Sequence, residues 1–117
     1  MGRLTTHILD TANGRPAAGV AIDLYAVEAD GGLTSLASVT TNSDGRCDEP
    51  ILEGDHFRPG TYEFRFRVGD YFGDAGGSGG PAFLDVVPVR FGISEADEHY
   101  HVPLLISPFG YSTYRGS

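Results

Sequence analysis

The sequence predicts an all-β sandwich. Three observations carry that prediction: stretches in which apolar and polar residues alternate, turn signals rich in glycine, proline and Asn-Gly or Asp-Gly pairs at short intervals between them, and almost no stretch with a helical period. The chain has 117 residues, 40% of them hydrophobic and 11% aromatic. That is enough to bury a core without disulfide or metal staples, and it fits one domain over residues 1–117. No internal repeat or linker divides it.

Taken in order, LTTHILDT (Leu4 to Thr11) alternates and is rich in branched residues, so it reads as a strand, and ANGRPAAG breaks it with Asn13-Gly14 and Pro16. VAIDLYAVE (Val20 to Glu28) alternates again, and DGG (Asp30 to Gly32) turns the chain into LTSLASVTT (Leu33 to Thr41). NSDGR (Asn42 to Arg46) is a second tight turn. GTYEFRFRVG (Gly60 to Gly69) has the clearest period of two, with Tyr62, Phe64, Phe66 and Val68 on one face and Glu63, Arg65 and Arg67 on the other. One helical turn is expected at Asp70 to Asp74, before a glycine-rich loop at Gly76 to Gly80. LDVVPVRFGI (Leu84 to Ile93) and DEHYHVPLLIS (Asp97 to Ser107) complete the strands, and Pro88 and Pro103 inside them favour sheet edges or bulges.

Eight basic residues face sixteen acidic ones, for a net charge of -8. Such a field repels nucleic-acid backbones and anionic membranes, so neither is an expected partner. An anionic small substrate would need a local cationic pocket set against the global field. The lone Cys47 suits a reducing compartment. The start MGRLTTHILD lacks the apolar region of a secretory signal, no run is long enough to span a bilayer, and a cytoplasmic location is expected.

Four features invite chemistry. His7 stands mid-strand with Thr5 and Leu9 on its face; alone, it reads as a core or interface histidine satisfied by a hydrogen bond. His99 and His101 in HYH point the same way on a strand. They could bind a metal with His7 as third ligand, but without a further Cys, Asp or Glu at ligand spacing the commoner reading is a polar pair. Arg46 follows the Asp44-Gly45 turn, where an arginine is ordinarily a surface residue. The chain ends YSTYRGS. Tyr111 and Tyr114 are costly to leave in water, Arg115 can pair with a carboxylate and Gly116 permits a tight turn, so this terminus is expected to be docked.

Other motifs are excluded. The glycine-rich loop has no following Lys-Ser or Lys-Thr, so it is no phosphate cradle. No serine sits on a strand-turn-helix elbow. Cys47 precedes Asp48 and Glu49, whose charge disfavours a thiolate, and His56 reads as a loop residue.

Together, LTTHILDTANGRPAAGV near the start, DGR in the middle and HYHVPLLISPFGYSTYRGS at the end resemble the transthyretin-like family, and within it the branch of 5-hydroxyisourate hydrolases. The likeness runs over essentially the whole chain. It implies two four-stranded sheets packed face to face with one short helix. It also implies a homotetramer, a dimer of dimers, with substrate sites in the channel between dimers. Matched position by position, His7, Arg46 and His101 take the catalytic places and Tyr114, Arg115, Gly116 and Ser117 the terminal substrate-binding motif, with His99 a less certain member. The implied reaction is hydrolysis of 5-hydroxyisourate to 2-oxo-4-hydroxy-4-carboxy-5-ureidoimidazoline in urate breakdown. Water opens a cyclic C–N bond, His7 and His101 share water activation and proton handling in an order left open, and no metal or cofactor is expected. The alternative is a carrier binding an aromatic molecule in the same channel.

Overall fold

The computed structural model describes residues 2–73 and 80–116. Among these described residues nine strands occur in the order β1 (Arg3–Asp10), β2 (Arg15–Pro16), β3 (Ala21–Val27), β4 (Leu33–Thr40), β5 (Leu52–Glu53), β6 (Gly60–Arg67), β7 (Val86–Ile93), β8 (His99–Ser107) and β9 (Gly110–Thr113), with helix α1 (Val68–Phe72) after β6 and a 3₁₀ turn at Gly54–His56. They form two sheets, β2-β1-β8-β9 with the two-residue β5 also paired to β1, and β4-β3-β6-β7. The expected sandwich is borne out. The short β2 falls inside the stretch read as a break and β5 in a stretch to which no element was assigned, since two paired residues leave no period to detect.

The core sits where the alternation points. Leu4 and Ile8 of β1, Leu104 and Ile106 of β8, Ile22 and Leu24 of β3, and Phe64 and Phe66 of β6 are all buried between the sheets. Each such side chain contributes about 1.5–3 kcal/mol by leaving water. On the other face of β6, Glu63 is itself buried, because Arg65 and Arg90 close over it at 2.8 and 3.0 Å.

Both prolines have a physical place. Pro88 lies in β7, an edge strand, as expected. Pro103 does not: β8 lies between β1 and β9. It is tolerated because the β8–β9 ladder stops at Leu104↔Thr113, and the Thr113 hydroxyl donates to the Pro103 carbonyl at 2.7 Å. The helix starts at Val68, two residues before the expected turn, and ends at Phe72, where Gly73 takes φ 59°. Asp74 and the glycine-rich stretch before Gly80 lie outside the described residues.

Asp10, at the end of β1, is 1% exposed yet fully bonded. It accepts from the backbone N–H groups of Ala12 and Asn13 at 3.0 Å each, from Asn13 Nδ2 at 2.8 Å and from the Tyr71 hydroxyl at 2.7 Å. The strand, its turn and α1 are thereby tied to one carboxylate. Burial works to raise its pKa, but the donors outweigh burial and hold it below the usual carboxylate value. Tyr71→Phe should cost about 1–3 kcal/mol, the worth of a hydrogen bond to a charged acceptor. A lowered folded pKa means that the stabilisation is complete above the ordinary carboxylate pKa and is lost as pH falls through the folded value. Urea melts of wild type and Asp10→Asn at pH 7 and pH 3 should therefore show a gap in midpoint that narrows in acid; a gap independent of pH would refute this.

Candidate active site

The site is built on the outward face of the first sheet. Pairing between β1 and β8 is parallel, in the register Arg3↔His99, Thr5↔His101 and His7↔Pro103. Alternate residues on paired strands share a face, so Thr5 and His7 stand beside His99 and His101. The two β8 imidazoles have ring centroids 5.9 Å apart. Both approach one oxygen: Thr5 Oγ1 lies 2.6 Å from His99 Nε2 and 2.8 Å from His101 Nδ1.

The turn after β4 delivers the arginine. The Asn42 side-chain oxygen accepts from the N–H groups of Asp44 (2.9 Å) and Arg46 (3.2 Å), curling the segment. Gly45 adopts φ 74°, and an added Cβ would collide with the Ile8 carbonyl, so only glycine allows this approach. Ile8 N–H then donates to the Gly45 carbonyl at 2.8 Å, and Arg46 comes opposite His7 in an isolated antiparallel bridge. His7 Nε2 lies 2.9 Å from the Asp44 carbonyl oxygen. A carbonyl only accepts, so Nε2 carries the hydrogen and Nδ1 of the neutral ring is a free acceptor.

The terminus is docked along β8, as expected. After β9 the tail continues in the same register, and Gly116 N–H donates to the His101 carbonyl at 2.8 Å. The interruption at Tyr114 and Arg115 falls opposite Pro103, which has no N–H to offer. Arg115 reaches back: its guanidinium donates to Glu98 at 2.9 Å and to the His99 carbonyl at 3.3 Å, and it stacks 3.9 Å from the centre of the Tyr100 ring. Tyr100 is fixed in turn, its hydroxyl accepting from Ser94 N–H and Glu95 N–H at 3.1 Å each. A Cβ on Gly116 would lie 2.6 Å from His101 Cδ2, so glycine makes room for the imidazole. Ser117 lies outside the described residues.

A cavity of about 330 Å³ opens at this place, lined among others by Arg3, Thr5, Arg46, Glu49, His99 and His101. Burial lowers the pKa of all three imidazoles. Arg46 adds to this at His7; Arg46 and the other two histidines add to it at His101; Arg3 and Arg115 add to it at His99. The rings are therefore neutral at pH 7. Cys47 borders the cavity with its thiol pushed up by burial and by Asp48, so it is no nucleophile.

His7, Arg46 and His101, scattered in sequence, are thus gathered at one place, although His7 stands beside the cavity, next to Arg46, rather than in its lining. Tyr114 and Arg115 do not line it: Tyr114 is 59% exposed, and Arg115 is spent on anchoring the tail. Thr5, Arg3 and the Asp44 carbonyl belong to the site without having been singled out. The only sequence trace of Thr5 is its place two residues before His7 on the same face. Among the described residues no three His, Cys, Asp or Glu side chains form a set that could hold a metal ion, and no helix is long and apolar enough to cross a membrane.

Comparison with known proteins matches this architecture to a family. A sequence model described as the HIUase/Transthyretin family matches residues 4–116. The 5-hydroxyisourate hydrolase 2 of Rhizobium meliloti (strain 1021) is 62% identical over 117 residues, covering 99% of this chain and 97% of that protein. Among solved structures, (S)-allantoin synthase superposes with a TM-score of 0.90 at 46% identity, over 99% of this chain but only 44% of that longer one. Sea bream transthyretin in complex with thyroxine superposes with a TM-score of 0.86 at 32% identity, over 97% of this chain and 94% of that one. Identity is thus far higher to a hydrolase than to the thyroxine-bound protein, and the chain belongs to the HIUase/Transthyretin family, in its hydrolase branch.

Proposed function

We propose that the chain hydrolyses 5-hydroxyisourate to 2-oxo-4-hydroxy-4-carboxy-5-ureidoimidazoline in urate catabolism, as a cytoplasmic, one-domain enzyme that assembles as a homotetramer. The observation that carries this reading is the pinning of His7. Its Nε2–H is spent on the Asp44 carbonyl, which leaves Nδ1 as a base beside Arg46. A carrier of an aromatic ligand would have no use for a base oriented in this way.

In the proposed mechanism His7 Nδ1 takes a proton from water, and the resulting hydroxide adds to the ring carbonyl carbon. Charge gathers on the carbonyl oxygen, where the Arg46 guanidinium offsets it. The C–N bond then breaks, the carbon keeps the new oxygen as a carboxylic acid that loses its proton to solvent to become the carboxylate, and the nitrogen leaves with a proton from His101 as the end of the ureido group. The terminal motif acts chiefly on His101: Gly116 fixes its backbone, and Arg115 holds the tail against Tyr100 and Glu98. Assembly is supported by what the sheet leaves uncovered, with Leu9 and Leu105 half-buried and Tyr114 exposed.

The test is decay of ultraviolet absorbance of 5-hydroxyisourate freshly made by urate oxidase, with and without the protein; a rate equal to the spontaneous one would sink the reading. In that assay His7→Ala, Arg46→Ala, His101→Ala and deletion of Arg115 to Ser117 should each lower kcat by about 10²–10⁴ with little change in Tm. Gly116→Ala should also lose activity by displacing the His101 ring, and near-normal turnover in any variant removes that residue from the mechanism. Activity should fall in acid as the base becomes protonated. Because burial and Arg46 lower the His7 pKa, the acid limb of kcat/KM should lie below the ordinary imidazole value of about 6.5; a limb above that value would exclude His7 as base. Sedimentation should give four times the chain mass, and a monomer would remove the shared channel.

A further inference from the structure

The Thr5 hydroxyl sits between two imidazoles and has no third hydrogen-bond partner among the described residues. A hydroxyl has one hydrogen to give. If both rings donated to Thr5 Oγ1, that hydrogen would be left without an acceptor. It therefore goes to one ring, whose facing nitrogen is bare, and the other ring donates from its facing nitrogen. The two facing nitrogens are locked in opposite roles through a single oxygen, and because one is Nε2 and the other Nδ1, His99 and His101 share one tautomer.

This matters for His101. A neutral imidazole that gives up its Nε2 hydrogen must receive another at Nδ1, or it is left as an unfavourable anion. The surroundings keep the ring neutral: Arg46 and His7 stand near His101, Arg3 and Arg115 near His99, and across the cavity Asp48 and Glu49 are the carboxylates that face them. Of these, Asp48 is occupied by Asn42 Nδ2 at 2.9 Å. Among the described residues, the one group within hydrogen-bond reach of His101 Nδ1 is the Thr5 hydroxyl.

Building on the proposed hydrolysis, we propose that Thr5 and His99 are positioning residues that form a proton relay feeding His101. Thr5 O–H donates to His101 Nδ1, which leaves the hydrogen on Nε2, and His99 Nε2–H donates to Thr5. As the His101 Nε2–H bond breaks and its proton passes to the leaving nitrogen, the Thr5 hydrogen moves to His101 Nδ1. The His99 Nε2 hydrogen moves to Thr5, and His99 Nδ1 takes a proton from water, whose hydroxide is neutralised by the proton that His7 took from the attacking water and now releases. Both rings end neutral as Nδ1–H tautomers. The reverse shift, run from the emptied cavity between turnovers, restores the starting state.

The test joins kinetics to spectroscopy on the full chain. Thr5→Val should lower kcat tenfold or more with KM within twofold, whereas Thr5→Ser, which keeps the hydroxyl, should return kcat to within threefold of wild type. His99→Phe should lose as much as Thr5→Val, and the double variant no more than either, because the two act in one chain. His99 is partly exposed, so this variant keeps the test decisive if Thr5→Val fails to fold. Long-range ¹H–¹⁵N spectra of histidine-labelled protein at pH 8 should show both rings as Nε2–H tautomers in wild type and a mixture at His101 in Thr5→Val. A folded Thr5→Val or His99→Phe with wild-type kcat, a Thr5→Ser as impaired as Thr5→Val, or a wild-type His101 protonated at Nδ1 would overturn the relay. A wild type that does not speed the decay of 5-hydroxyisourate would sink the proposed reaction instead, and the spectrum still judges the hydrogen bonding on its own.

Discussion

The parallel pairing of β1 with β8 is the constraint on which the site depends. Parallel neighbours need a long crossover, and here nearly the whole chain, including the second sheet, lies between the two strands. Register is then set by burial: Leu4, Thr6 and Ile8 face inward against Tyr100, Val102 and Leu104. A slip of one residue would drive the Thr5 and His7 side chains into the core and expose Ile8 to water. The apolar face fixes the polar face, so the energy that orders the imidazoles is ordinary hydrophobic burial on the opposite side of the same strands.

Two further devices bring in groups that no strand supplies. The Asn42–Arg46 turn closes on Ile8 through Gly45 and sets the Arg46 backbone against His7. The tail closes on His101 through Gly116. In both cases a glycine stands where a side chain would strike β1 or β8, and the residue beside it carries a guanidinium. Arg46 belongs to the reacting centre, whereas Arg115 turns away to Glu98 and Tyr100. Residues from three distant parts of the chain thus meet without any one being held only by a flexible loop.

Much of this was legible in the sequence. The period of two in Gly60 to Gly69 named Tyr62, Phe64, Phe66 and Val68 as core, and all four are buried. The docked terminus was expected, but Arg115 and Gly116 hold it, whereas Tyr111 and Tyr114, the aromatic residues that argued for docking, stay exposed. What could not be read was pairing: nothing local in LTTHILDT says that its neighbour is HYHVPLLIS, or that they run parallel. For that reason Thr5, a residue of ordinary strand character, gave no sign of bridging two histidines. Pro103 misled as an edge marker because its missing N–H is absorbed by a gap in the neighbouring ladder, a compensation made by residues ten positions away.

The electrostatics invert the expectation set by net charge. The chain carries -8 overall, yet after burial, arginines are the leading charges that lower the pKa of its three clustered histidines. Their effect goes beyond attracting an anion. Burial disfavours an imidazolium and a neighbouring cation disfavours it further, so burial, aided by Arg3, Arg46 and Arg115, holds three clustered rings neutral. Neutral rings can stand side by side without repulsion and can exchange donor and acceptor roles through hydroxyl and carbonyl groups. A carboxylate partner of the kind that usually orients a catalytic histidine would raise the ring pKa and favour the charged form. The Asp44 carbonyl orients His7 with an upward pull that burial and Arg46 outweigh, and the Thr5 hydroxyl orients His101 without adding a charge. Orientation is thereby left to neutral oxygens, and Arg46 is left to meet the negative oxygen that develops on the substrate.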